Sequence, residues 1–141
     1  MVTKQAKIVP QFVEFIPEVL DDGVLYISRT YKTAVHKCCC GCGEEVVTPL
    51  MPTEWTFSTS TEGVSLYPSI GNWSMTCRSH YWIRNSKVIW AEVMSRTQID
   101  RGRESDRQMK EEYFAGGNSK EPVRKRLIEN LISFVMSIFR K

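Results

Sequence analysis

The cysteines and histidines of this chain fall in two short windows, and both residue types bind metal ions. The first window, His36 to Gly43, reads HKCCCGCG, and the second, Cys77 to His80, reads CRSH. Together they hold all 5 cysteines and both histidines of the 141 residues. Thiolates and imidazoles are the usual ligands of tetrahedral zinc, and glycine permits the tight backbone that a metal knuckle needs. The sequence therefore predicts one structural zinc ion held between the two windows.

More than one set of four ligands can fill this predicted site. The preferred set combines two thiolates of the first window with the Cys-x-x-His pair of the second: Cys40, Cys42, Cys77 and His80. If Cys38 replaces His80, the site becomes all-thiolate and His80 is released for chemistry. Cys39 is out of phase with Cys38 and Cys40 in an extended segment, so we expect it not to be a ligand. The choice between Cys38 and His80 stays open at this point.

A second group of residues has the types that acyl-transfer chemistry needs. Ser69 offers a hydroxyl in the loop sequence PSIGNW. His36, if it is not a ligand, is a candidate general base, and Glu54 is a candidate acid to orient it. Backbone N–H groups that could face an oxyanion follow in the same loop, at Gly71 and Asn72. Spacing alone also fits a turn serine and a capping histidine, which is the simpler interpretation.

Short β-strands divided by turns are predicted to position these groups. Eight segments are rich in β-branched and aromatic residues and lack helical periodicity. They are Gln11–Phe15, Val24–Ile27, Thr33–His36, Glu45–Thr48, Trp55–Thr59, Val64–Tyr67, Tyr81–Arg84 and Val88–Val93. Residues 1–97 are therefore predicted to form a mainly β domain, a small sheet clamped by zinc.

The C-terminal third has a different pattern. Residues 98–121 are charged and poor in aliphatic side chains, which predicts a linker or a short helix over Glu104–Phe114. Residues 122–141 follow as a predicted amphipathic helix, since Val123–Arg140 places its apolar residues in an arc of roughly 200°. This arc is wider than the stripe that a helix on one sheet face buries. We expect it to pack in its own core, to bind a partner or to join two copies in a homodimer. Binding to a membrane surface is the weakest alternative, because the polar face does not gather lysines.

Charge and hydropathy exclude two classes of partner. The net charge is only +3, and residues 1–97 carry nine basic and nine acidic residues. A nucleic-acid binder would show a basic stripe with aromatic residues, which this chain lacks. No apolar run reaches the roughly 18 to 20 residues of a membrane span, and Met1–Pro10 has no signal-peptide pattern. We therefore expect a cytoplasmic protein with reduced cysteines.

About eighty residues, from Phe12 to Ala91, resemble a known family. The motifs that carry the resemblance are FVEFIP, GVLYIS, TAVHKCCCGCG, VVTPL, PTEW, SLYPSIGNW and CRSHYWI. They are similar to those of a bacterial zinc-binding domain family of unknown function, encoded beside ubiquitin-like, E1-like and E2-like proteins in bacterial ubiquitination-like operons. Members often have another residue where Cys39 stands.

The resemblance implies a zinc domain that works in a ubiquitin-like conjugation pathway, with the modifier and the E1-like and E2-like enzymes as partners. The E2-like enzyme is then a candidate partner of the predicted helix over residues 122–141. It fits zinc binding through Cys38, Cys40, Cys42, Cys77 and His80. We expect a serine-type peptidase that processes or removes the modifier, with Ser69 as nucleophile, His36 as base and Glu54 as orienting acid. The alternative is a non-catalytic zinc adaptor that positions the modifier or its target for the E2-like enzyme.

Overall fold

The structure is a computed structural model that describes residues 3–116 and Leu131. Two units divide the chain, Met1–Ile99 and Asp100–Lys141. The described elements are eight strands and one helix: β1 (Val9–Phe12), β2 (Val24–Ser28), β3 (Thr33–Lys37), β4 (Glu45–Pro49), β5 (Thr56–Ser60), β6 (Gly63–Gly71), β7 (His80–Arg84), β8 (Lys87–Trp90) and α1 (Arg96–Ala115). The prediction of a mainly β fold with a C-terminal helix is confirmed.

The strands form two sheets where the sequence predicted one small sheet. The first sheet has the order β1-β2-β3-β4 and the second the order β5-β6-β7-β8. Neighbours are antiparallel except that β1 runs parallel to β2. The second sheet, and β2 to β4 of the first, are therefore antiparallel meanders in which chain neighbours pair, whereas the parallel pair β1–β2 needs the longer connection 13–23.

A shared core joins the inner faces of the two sheets. Alternate residues point to opposite faces of a strand, so β2 sends Leu25 and Ile27 inward while β7 sends Tyr81 and Ile83. The other face of the first sheet is also covered, because Tyr26 packs with Leu20 of the segment that precedes β2. No comparable cluster packs on the outer face of the second sheet among the described residues. That face carries the exposed and half-buried residues of β6 and β7.

Strand β6 bulges where it pairs with β7. Leu66 pairs with Ile83 and Ile70 pairs with Tyr81, so three residues of β6 lie between the two pairs and only one of β7. A bulge leaves its extra residues unpaired and re-aims their side chains. Ser69 lies inside this bulge, next to Ile70.

Helix α1 begins with a reciprocal capping box. The Ser95 N–H donates to Gln98 Oε1 at 2.8 Å, and the Gln98 N–H donates to Ser95 Oγ at 3.3 Å. The helix therefore starts earlier than the predicted segment Glu104–Phe114, which lies inside it. The predicted amphipathic helix over residues 122–141 lies outside the described residues, Leu131 apart. Among the helices of the described part, none has the length and apolar character to cross a membrane.

Candidate active site and metal centre

Ser69 forms a hydrogen-bonded pair with His80 on the outer face of the second sheet. The distance between Ser69 Oγ and His80 Nε2 is 2.9 Å. Ser69 belongs to β6 and His80 opens β7, and both side chains are half-buried. The pairing of Gly71 with His80 in the sheet brings the serine of the bulge beside the imidazole. A serine and a histidine at this distance have the geometry of a nucleophile–base pair.

Trp73 packs against this pair from one side. Its ring meets the imidazole of His80 edge-on, with 4.9 Å between the ring centroids. The same indole occupies the place where a side chain of Gly71 would stand, since a Cβ built there would lie 2.5 Å from Trp73 Nε1. Glycine at position 71 therefore lets the indole reach His80 and restrict its ring.

His36 lies in the core and not beside Ser69. It is fully buried on β3, and its Nε2 hydrogen-bonds the hydroxyl of Tyr81 at 2.9 Å. Burial lowers the pKa of His36 to about 4, because the charged imidazolium would lose its hydration there. The structure thus gives Ser69 a histidine other than the predicted one: Tyr81 points inward to His36, whereas its neighbour His80 points outward to Ser69.

The predicted orienting acid and one predicted oxyanion donor are also placed differently. In the part of the chain that the structure describes, the Nδ1 atoms of both His36 and His80 are buried without a hydrogen-bond partner, so Glu54 does not bond to either. The N–H of Asn72 donates to Ser79 O at 2.9 Å and is not free to face an oxyanion. Gly71 keeps an exposed backbone, so it is the predicted donor that the geometry leaves accessible.

Four cysteines lie close together where the segment after β3 meets the segment before β7. The Sγ atoms of Cys38, Cys40, Cys42 and Cys77 all lie within 4.8 Å of one another. The sulfur of Cys38 is 3.4 Å from that of Cys40 and 3.9 Å from that of Cys77. A tetrahedral zinc with bonds of about 2.3 Å would separate its sulfurs by about 3.8 Å. The four residues therefore fit a metal ion, with Cys38 in the place that the preferred ligand set gave to His80.

Two polar side chains lie around the sulfur of Cys38. Asn72 Nδ2 donates to Ser79 Oγ at 2.9 Å, and Ser79 Oγ lies 3.0 Å from Cys38 Sγ. Hydrogen bonds of this kind to metal-bound sulfur fix the ligand and tune its charge. Burial alone raises the pKa of Cys77, but hydrogen bonds with Ser79 and two neighbouring thiols outweigh it and lower the pKa to about 7.

Cys39 differs from the four converging cysteines. It is fully buried in the hydrophobic core, and burial raises the pKa of its thiol to about 12. It is not a member of the converging group, in keeping with its predicted place outside the ligand set.

Comparison with known proteins identifies the chain as a member of a family of bacterial serine proteases. The matching family is described as the bacterial ubiquitination-like system serine protease (BubE), and it matches residues 12–91. The matched segment covers more than half of the chain and contains Ser69, His80 and the four converging cysteines. The chain belongs to this family. No curated protein and no solved structure matches it.

Two features of this site were not predicted from the sequence, the contact of Trp73 with His80 and the pairing of His80 with Ser69. A signal for the second was available. Tyr81 and Ile83 are apolar and must face the core, so alternation places His80 on the outer face, away from His36. Once Cys38 is counted as a ligand, four thiolates fill a tetrahedral site and leave His80 free.

Proposed function

We infer that the protein is a peptidase that cleaves a ubiquitin-like modifier, either at its C-terminal extension or from a conjugate, with Ser69 as nucleophile and His80 as general base. The observation that carries this proposal is the 2.9 Å hydrogen bond between Ser69 Oγ and His80 Nε2. It occurs in a chain of a family described as serine proteases of a ubiquitination-like system. The modifier and its E1-like and E2-like enzymes are the proposed partners.

The chemistry is a two-step acyl transfer. Ser69 Oγ attacks the carbonyl carbon of the scissile bond while its proton moves to His80 Nε2. The C–N bond then breaks, and the amine leaves with the proton that His80 returns to it. Water, deprotonated by the same nitrogen, cleaves the Ser69 ester and releases the acid. This sequence requires the neutral tautomer with its proton on Nδ1, so that Nε2 can accept.

Packing, more than an acid, orients the base in this proposal. His80 Nδ1 has no hydrogen-bond partner within residues 3–116, so no carboxylate of that part fixes its tautomer. The edge-on contact with Trp73 restricts the ring instead. Aromatic pairs of this geometry contribute about 0.5–1.5 kcal/mol beyond their buried area. Trp73 is thus proposed as a positioning residue that acts through His80.

The metal is proposed to be one structural zinc ion bound by Cys38, Cys40, Cys42 and Cys77. Four thiolates leave no coordination position for water or substrate, so the ion would stabilise the fold and take no part in catalysis. The cluster joins the segment after β3 to the segment before β7, and His80 begins β7. A metal ion there would hold the start of β7 in place.

The decisive experiment incubates the purified protein with a ubiquitin-like modifier extended beyond its mature C-terminus. Mass spectrometry should show cleavage at one bond, and Ser69→Ala should abolish it. A control variant, Ser65→Ala, removes a hydroxyl from the same face of β6 and should keep the activity. Binding without cleavage by the wild-type protein would favour the adaptor function instead.

A further inference from the structure

Strand β5 covers only part of β6. It pairs with β6 from Ser60 opposite Gly63 to Thr56 opposite Tyr67, and the pairing ends there. Strand β6 continues to Gly71. Its last four residues, 68–71, therefore have β7 on one side and no strand of the described part on the other. This uncovered stretch, which we call the open edge, contains Ser69.

The chain before β5 does not continue along the open edge. The N–H of Trp55 donates to Pro49 O at 3.0 Å, so the backbone turns toward the first sheet directly before Thr56. Trp55 packs against the hydrophobic core. Gly71 at the end of the open edge is exposed. At its Gly71 end, the line that β5 would have followed is therefore exposed, and another chain can reach it there.

The backbone of Gly71 faces this accessible side. In antiparallel pairs, the N–H and C=O of successive residues point alternately to the two neighbouring strands. The N–H of Asn72 donates to Ser79 O, and Ile70 pairs with Tyr81, so residues 70 and 72 direct their peptide groups to the β7 side. Gly71, between them, directs its N–H and C=O away from β7. Trp73 covers the outer face of Gly71, where a Cβ would stand.

We propose that the open edge binds the substrate as an extra β-strand: an extended tail of the modifier pairs with the backbone of Gly71 and thereby lays its scissile bond beside Ser69. The proposal rests on the proposed function and names its substrate class, an unfolded C-terminal tail and not a folded loop. Strand addition supplies binding through main-chain hydrogen bonds that do not depend on sequence. It also reassigns the Gly71 N–H from the predicted oxyanion role to the alignment of the tail.

Amide exchange measured by NMR on labelled Ser69→Ala protein tests which edge the tail uses. The probe is the unlabelled modifier with its C-terminal extension, at saturating concentration. We expect the exchange rate of the Gly71 N–H to fall by at least about tenfold in the complex, because this N–H gains an acceptor. The Asn72 N–H, already bonded to Ser79 O, is the internal control and should change little.

A second edge of the same sheet provides the competing outcome. The outer edge of β5 is also unpaired in the sheet order. Alternation directs the N–H and C=O groups of Phe57 and Thr59 toward that edge. Protection of these two amides with Gly71 unchanged would show that the tail adds to β5, which overturns the proposal. Saturating binding with neither set protected, or no binding at all, overturns it as well.

Substrates with single N-methyl groups separate this proposal from the proposed function. A methyl group on the tail residue opposite Gly71 should lower kcat/KM about tenfold or more, while methylation of the next residue should have little effect. Labelling of Ser69 by a small fluorophosphonate reports the nucleophile without any tail. If Ser69 is labelled and cleavage is equally tolerant of every methyl group, the strand proposal is wrong and the peptidase stands. If the tail protects Gly71 but Ser69 is neither labelled nor needed for cleavage, the strand proposal stands and the serine mechanism is wrong.

Discussion

Each of the two faces of strand β7 has a hydrogen bond between a hydroxyl group and a histidine Nε2, one in the core and one near solvent. On the inner face, Tyr81 OH lies 2.9 Å from His36 Nε2, and on the outer face Ser69 Oγ lies 2.9 Å from His80 Nε2. The Nδ1 atom of each histidine is also buried and has no hydrogen-bond partner among the described residues. The difference is burial, since His36 is fully buried with its pKa lowered to about 4, whereas His80 is half-buried. A histidine–hydroxyl bond therefore becomes a candidate for catalysis only where a substrate can reach it.

The largest expected effect lies at the metal cluster. Cys77→Ser should lose the metal and much of the fold, because a structural zinc site contributes on the order of 10 kcal/mol of folding free energy. Elemental analysis of wild-type protein purified without added metal should show about one zinc ion per chain, and thermal unfolding should show the loss in the variant.

Cys39→Ala is the matched control for this cluster, since Cys39 neighbours two of the ligands but lies outside the group. It should keep the zinc, although the lost packing will lower its stability. A wild-type protein that is well folded and free of metal would contradict the prediction.

The second effect belongs to the outer face. Ser69→Ala and His80→Ala should each lower the cleavage rate by about 1000-fold or more, and the double variant should be no worse, because nucleophile and base act as a unit. Zinc content and melting temperature should stay close to those of the wild type. The comparison between the two faces fails if His80→Ala keeps its activity.

The third effect concerns the inner face of β7, where a substitution should lower stability without changing activity. Tyr81→Phe leaves the buried His36 Nε2 without its hydroxyl partner, which should cost about 1–3 kcal/mol of unfolding free energy. Denaturant titration measures this loss. Cleavage per folded molecule should not change, because His36 does not serve Ser69. Loss of cleavage in a folded, zinc-bound Tyr81→Phe protein would restore His36 as the base.

The smallest effect concerns the orientation of His80. Trp73→Ala removes the ring that packs against the imidazole and should lower kcat about 3- to 10-fold, in line with an aromatic pair of 0.5–1.5 kcal/mol. Trp73→Phe keeps an aromatic edge near His80 and should recover part of the rate. A change in KM alone would show that Trp73 contacts substrate and does not position the base.

Local sequence patterns were sufficient to predict most of the strands. Seven of the predicted strand segments overlap an observed strand by three or more residues, as with Val24–Ile27 within β2, because alternation and turn residues act over short distances. The clustering of cysteines likewise indicated a metal site, since few other roles need so many thiols so close together. The first segment, Gln11–Phe15, overlaps β1 less, because Val13 and the residues after it pass into the connection to β2.

The pairing of Ser69 could not be predicted in the same way. It depends on the register between β6 and β7, which are separated by the segment that contains Trp73 and Cys77. It also depends on the bulge between Leu66 and Ile70, and a bulge has no reliable sequence signature. Without that register, either histidine could lie beside the serine, and His36 was predicted as the base because the preferred ligand set assigned His80 to zinc.

The bulge of β6 has a consequence for how this architecture can change. Leu66 with Ile83 and Ile70 with Tyr81 differ in register by two residues, so a chain lacking Pro68 and Ser69 would pair Ile70 with Tyr81 in an unbroken ladder. Both apolar residues would still face inward, because removing two residues preserves alternation. Pro68 and Ser69 are thus two residues that the sheet does not need, and Ser69 is the proposed nucleophile. If one deletion removed them, the sheet and the four cysteines proposed to hold zinc would remain. A chain proposed to cleave the modifier would then only bind it, as a competitor for the same partners.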